Sequence, residues 1–215
     1  MVAGFPYPSA RWVGDIDILP TRRYKPVMTV DRRTALLQHA EYLIRTRGYS
    51  DFSYADLAKS ASISKPAVHH YFPTKEDLGV ALVNEYLERF RECLSRIDAK
   101  HRKAKDKLVA HAQLFADSLN DGMLPLCGAL SAEWSVLPES MRSLTSTFFQ
   151  LHLQWLERII EGGIAAGELR ADRSAKRSAL MLLSSLEGGS LVGWALRDNA
   201  SILTGFEESL RELAV

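Results

Sequence analysis

Apolar positions along this chain recur at helical spacing almost from end to end. Between residues 31 and 47, Leu36, Ala40, Leu43 and Ile44 form the stripe of an amphipathic helix, with Gly48 placed to end it. Leu78, Leu82, Tyr86, Phe90 and Leu94 fall every four residues and predict a longer helix from Thr74 to about residue 97. A helix over 106–120 carries Leu108, Ala112, Phe115 and Leu119 on one face. The Asp121-Gly122 break and a short helix within 124–134 follow. Pro138 opens the next helix, lined by Met141, Leu144, Phe148, Trp155 and Ile159, and Gly167 is placed to stop it. The helix over 172–197 differs, because Leu180, Leu183, Leu191 and Trp194 mark one face while Leu182, Leu186 and Leu196 mark another. Two apolar faces require two partners, the domain core and the same surface of a second subunit. The last helix, over 201–213, sets Leu203, Phe206, Leu210 and Leu213 among acidic and basic residues and suits a twofold four-helix interface. Gly188, Gly189, Ser190 and Gly193 allow backbones to approach closely there, or leave room for a ligand.

The stretch 52–78 has a different texture. Ser53 and Asp56 are spaced to cap a short helix over 54–61. Ser62-Ile63-Ser64 makes a turn, and Pro66 sits in the first turn of a second short helix, where a missing amide hydrogen costs little. Thr74 and Asp77 repeat the cap spacing at the start of the long helix. Leu57, Ala58, Ala61, Ile63, Val68 and Phe72 bury one side of the pair. Lys65, Ala67, His69, His70 and Tyr71 are left on or near the outer side of a helix short enough to enter a DNA major groove. Ser53, Ser64 and Pro66 belong to the same face, and Lys75 adds a cation beside a helix amino terminus, suited to a phosphate.

Ile63-Ser64-Lys65, Ala67-Val68 and above all Tyr71-Phe72-Pro73-Thr74-Lys75-Glu76-Asp77-Leu78 resemble the DNA-binding domain of TetR/AcrR-type transcriptional regulators, over about residues 31–80. The resemblance implies an all-α protein: an N-terminal three-helix helix-turn-helix domain over 29–80, and a C-terminal helical ligand-binding and dimerisation domain over 81–215. It implies a homodimer on a palindromic double-stranded DNA operator, most often a repressor, released when a small-molecule effector enters the larger domain. Two positions depart from the family pattern: Ser62 stands where glycine is usual in the turn, and His69 where a phosphate-binding tyrosine is usual. Histidine can still donate to a phosphate, with a contact sensitive to pH near neutrality. A pair of solvated helix residues is the plainer account of His69-His70. The departures leave open a small-molecule-binding helical dimer with weak or lost DNA binding.

The effector would sit among Phe115, Cys127, Trp134, Phe148, His152, Trp155 and Glu187, which mix apolar walls with a few polar groups on the helices expected to enclose a pocket. Plain core packing is the competing account for each aromatic residue and for His152. Cys127 offers a thiol for sensing oxidants or electrophiles, but no cation stands near it in sequence, and burial as a small apolar residue fits it better.

Composition adds limits. With 215 residues, 47% hydrophobic and 25% charged, the chain can bury a substantial core, and its net charge of +1 neither supports nor excludes DNA. Two distant cysteines, Cys93 and Cys127, make no disulfide framework and fit a reducing cytoplasm. No run approaches a membrane span, and no membrane partner is expected. Nucleophile elbows, phosphate-binding loops and metal-ligand spacings are missing, so neither an enzyme nor a cofactor or metal is expected. Residues 1–28, rich in proline and carrying Arg22, Arg23 and Lys25, read as a disordered extension, either a basic arm for DNA or residues upstream of a true start at Met28. Six basic and two acidic residues between Arg96 and Lys107 read as a solvated connection between helices.

Overall fold

The computed structural model describes residues 31–198 and 201–215, so the extension expected over 1–28 lies outside the described residues. Helices α1 (Arg32–Arg47), α2 (Tyr54–Ser60) and α3 (Lys65–Tyr71) make a small module, closed by the start of α4 (Lys75–Lys100). The body follows as α5 (Ala104–Asn120), α6 (Leu126–Ala132), a 3-10 turn (Trp134–Val136), α7 (Glu139–Ala165), α8 (Ala175–Leu196) and α9 (Ser201–Arg211). The fold is all-α. Among the described residues the one β feature outside these helices is an isolated bridge between Leu169 and Ala214, which with the amide of Arg170 on the carbonyl of Leu213 pins the end of the chain to the α7–α8 loop.

Local chemistry sets these boundaries. Ser53 and Asp56 form a reciprocal capping box at α2, and Thr74 and Asp77 another at α4, each pair satisfying amides that a helix start leaves without partners. Ser64 caps α3 by accepting from the amide of Ala67. Four helices end alike. After α2, α5, α7 and α8 the chain enters the left-handed region at Ser62, Gly122, Gly167 and Arg197, and the next amide reaches back five residues, as from Ile63 to Ala58 at 3.0 Å. The glycine usual at position 62 therefore answers a backbone need, since φ there is 54° and a side chain is strained by it. Ser62→Gly is expected to stabilise the chain by about 0.5–1 kcal/mol, read as a higher denaturation midpoint at constant slope; no gain would mean the serine relieves the strain elsewhere.

The apolar stripes read from sequence lie inside. Leu36, Ala40, Leu43 and Ile44 of α1 and Leu78, Leu82, Tyr86, Phe90 and Leu94 of α4 are all buried, and α4 packs on α1, α5 and α7. Helix α4 runs unbroken through residues 80 and 81, where the two-domain division was expected. The basic connection after α4 is held by Asp98, which pairs with Lys107 at 3.1 Å and Arg158 at 2.7 Å and accepts from the indole of Trp155.

Two expectations about α8 change. Its faces divide differently: Leu183 joins Leu182 and Leu186 in the core, while Leu196 joins Leu180, Leu191 and Val192 outside. Gly189 and Gly193 meet Ile202 and Asp198 of the same chain, whereas a Cβ at Gly188 would stand in open space. Helix α8 is also long and apolar enough to cross a membrane by length and composition, contrary to the sequence expectation. Its Leu182, Leu183 and Leu186 are nevertheless buried, and it packs against α7 and α9.

Candidate functional site

The N-terminal module presents one face of α3. Val68 is fully buried beneath it and anchors the helix, Ala67 and Tyr71 are half-buried, and Lys65, Pro66, His69 and His70 stand in solvent with the capping residues Ser53 and Ser64. The Tyr54 hydroxyl donates to the carbonyl of Phe72 at 2.9 Å and lies against that of Thr74, tying α2 to the turn after α3. His69 packs edge-on against Tyr54, and its Nδ1 is 3.1 Å from the carbonyl of Pro73. A carbonyl accepts, so Nδ1 carries the proton and Nε2 is left facing outward.

Lys75, expected from the sequence to meet a phosphate, also makes contacts within the module. Its Nζ donates to the carbonyl of Phe52 at 2.6 Å and lies 4.3 Å from the centre of the Phe52 ring and 4.7 Å from that of Tyr49. Burial lowers its pKa, and the ammonium fastens α4 to the α1–α2 loop.

The module meets the body through buried polar groups. Arg45 donates from Nη1 to Glu41 (2.8 Å), from Nη2 to Ser118 of α5 (2.9 Å) and from Nε to the carbonyl of Leu124 (2.7 Å), while Arg89 of α4 pairs with the second oxygen of Glu41. Burial pushes the Glu41 carboxyl up, but Arg45 and Arg89 together outweigh it and hold it below the usual glutamate range. Glu133, after α6, accepts from the amides of Tyr49 (2.6 Å) and Ser50 (2.8 Å), close enough to Gly48 that a Cβ there would collide with it.

Behind Ser118 lies a small cavity between α4, α5, α7 and α8, partly open to solvent, with about 20 Å³ of room, enough for about one water. Tyr86, Phe90, Phe115 and Phe148 give aromatic walls, and Leu114 and Pro125 complete the apolar lining. Ser118, His152 and Glu187 are its polar members. Of the sequence candidates, Phe115, Phe148, His152 and Glu187 are brought together here, whereas Cys127, Trp134 and Trp155 are not among the lining residues. Trp134 is 42% exposed in the 3-10 turn, Trp155 is bound to Asp98, and Cys127 is fully buried. Burial and, less, Glu187 raise the Cys127 thiol well above its ordinary value, the opposite of a reactive thiolate.

His152 is one half of an unforeseen pair. Its Nε2 meets Nε2 of His111 on α5, both rings are fully buried, and burial drives His111 down to about 3 and His152 well below its ordinary range. Both imidazoles are neutral at physiological pH, one donating to the other. No group of three or more His, Cys, Asp or Glu side chains able to hold a metal occurs among the described residues.

A short exposed helix seated on a capped partner, carried by a helical body with an internal cavity, defines a helix-turn-helix DNA-binding regulator. Comparison with known proteins agrees. Residues 36–82 match the family model for bacterial regulatory proteins of the tetR family. The repressor NemR of Escherichia coli K12 is 30% identical over 140 residues, spanning 62% of this chain and 69% of NemR. The regulator EthR of Mycolicibacterium smegmatis is 39% identical over 59 residues, 27% of each chain. Among solved structures, a TetR-family regulator from Agrobacterium tumefaciens aligns with a TM-score of 0.82 at 27% identity, covering 86% of this chain and 98% of that one. Reduced NemR of Escherichia coli aligns with a TM-score of 0.76 at 25% identity over 86% and 98%. The chain belongs to the TetR family, and its work is DNA-binding transcriptional regulation.

Proposed function

We propose that two copies of this chain place α3 in successive major grooves of a palindromic operator, repress transcription there, and leave when a small molecule occupies the cavity between α4, α5, α7 and α8. The exposed side of α3 carries this reading: Lys65, Pro66, His69 and His70 stand free above a buried Val68, as a groove-entering helix requires. Residues 29–80 act as the reading module and 81–215 as the sensing and pairing body. One short helix covers few base pairs, so affinity calls for a second at about 34 Å, one turn of the duplex. The outward Leu180, Leu191 and Val192 of α8, with the open Gly188 between them, offer the apolar surface for pairing.

The roles within the face divide by chemistry. Lys65 reaches phosphate, as do Ser53, Ser64 and His69. Ala67, His70 and Tyr71 face base edges, with Pro66 fixing the helix start. Lys75, at the amino terminus of α4, takes a phosphate as well as holding the module together.

Fluorescence anisotropy with DNA from upstream of the chain's own gene, at stated salt, tests this. Lys65→Ala is expected to weaken binding to all sequences and reduce the salt slope by about 1, whereas His70→Ala should change the ranking of operator variants. Equal losses on every sequence for both variants would overturn the division of roles. A dimer that prefers no palindrome at any salt would instead favour a ligand-binding protein that has lost its operator.

A further inference from the structure

Within the cavity, among the described residues, two polar groups keep a sealed atom without a partner, Nδ1 of His152 and Oε1 of Glu187, and of these only Glu187 is an acid. Ser118 is satisfied, accepting from Arg45 and donating to the carbonyl of Leu114, and His152 is bonded to His111 through Nε2. Glu187, entering from α8, has an Oε1 sealed from solvent with no hydrogen-bond partner among the described residues. Its Oε2 lies where a Cβ on Gly128 would stand 2.4 Å away, so the absence of a side chain on α6 makes room for this carboxyl. The walls around it are the rings of Tyr86, Phe90, Phe115 and Phe148. Among the described residues no lysine or arginine lines the cavity, and Arg45, reaching Ser118 from the α1 side, is paired with Glu41.

A carboxyl with one oxygen sealed and unpartnered is destabilising unless something answers it. A carboxylate in a cavity lined by several aromatic rings answers a positive charge, by direct pairing and by cation–π attraction. We infer that the effector of this regulator is a compact organic cation, an ammonium or amidinium on an aromatic or aliphatic body, whose charge is bound by Glu187 and the surrounding rings. This rests on the proposed function, since it names the ligand class of the cavity that reading uses. The enclosed room is about that of one water, so an organic cation enters only by parting the surrounding side chains, which favours a small one.

The titratable groups around Glu187 stay neutral. Cys127 of α6, which feels its charge, is held protonated, and of the groups that share the cavity lining His152 of α7 is neutral and the phenol of Tyr86 on α4 is raised by burial. On α9, packed along α8, Glu207, Glu208 and Arg211 are exposed. Burial lifts Glu187 itself to about 8, so in the empty cavity at neutral pH it is a carboxylic acid. Entry of the cation expels that proton to solvent and leaves an ion pair, so apparent affinity falls as pH drops below about 8, approaching tenfold per unit.

Calorimetry on the full chain tests this with matched probes: 2-phenylethylamine against 2-phenylethanol, and benzamidine against benzamide, at pH 6, 7 and 8. At pH 8 each cation is expected to bind at least about tenfold tighter than its neutral counterpart, with the slope above. Glu187→Gln should bring each cation down to its counterpart and flatten its pH profile. Phe90→Leu, which keeps the acid and removes a ring, should weaken the cations roughly tenfold. Neutral probes binding as tightly as cations, a preference that survives Glu187→Gln, or no binding of either cation at about 1 mM overturns the inference. Operator binding by the ligand-free chain is measured alongside. A chain that binds its palindrome but ignores the cations sinks the inference alone, while one that binds no palindrome sinks the proposed function.

Discussion

Glu41→Gln is expected to destabilise the protein by about 3–5 kcal/mol, a large share of the stability of a chain this size. The carboxylate lies between Arg45 and Arg89, with Arg45 itself 5% exposed, so removing the negative charge leaves two guanidinium groups facing each other without an answering anion. Glu41→Gln combined with Arg45→Gln should recover most of the loss, because removing both members of a buried pair costs far less than removing one. The pH dependence has a definite sign. The Glu41 carboxyl is held below its ordinary value, so its stabilisation is full above the usual glutamate range and is lost as pH falls through the depressed folded value. Chemical denaturation between pH 3 and 7 reads both effects. A single variant as stable as the parent would show that the network carries no net energy.

Glu187→Gln should act in the opposite direction. Burial raises this acid to about 8, so between the unfolded value near 4.5 and that point the folded chain keeps a proton that the unfolded chain has released. Parent stability therefore declines as pH rises through this window, and glutamine removes the decline. The variant is expected to gain about 4 kcal/mol over the parent at pH 8 and almost nothing at pH 4.5. Unfolding curves at the two pH values decide it, and an equal difference at both would mean that Glu187 is not held as a buried acid.

Much of the architecture was legible because it rests on local chemistry. The Ser53–Asp56 and Thr74–Asp77 boxes, Pro66 in the first turn of α3, and the stops at Gly48 and Gly167 are short-range devices whose residues sit side by side in the chain. The buried α4 stripe was equally plain, since its period fixes its face. What escaped depends on partners distant in sequence. Glu41 and Arg45 have the spacing of an ordinary solvated helix pair, and only their position beside Ala40 and Ile44, inside the apolar stripe, hinted at burial. The direction of Lys75 was decided by Phe52 and Tyr49. His152 was singled out without His111, 41 residues earlier, because nothing in one helix announces a ring waiting on another. Of the cavity, Phe115, Phe148, His152 and Glu187 were found by helix placement, while Ser118 and Tyr86 passed as ordinary helix residues.

The unbroken course of α4 has a mechanical consequence. At 26 residues it is a rod of about 39 Å, with Lys75 at the reading end and cavity residues Tyr86 and Phe90 along its middle. Each degree of tilt about the far end carries Lys75 through about 0.7 Å, so a swing of roughly 5° displaces the reading end by about one base-pair rise. In the proposed pair of copies on a duplex, a ligand that wedged the rings of Tyr86 and Phe90 slightly aside would therefore put the two probes out of step with the grooves.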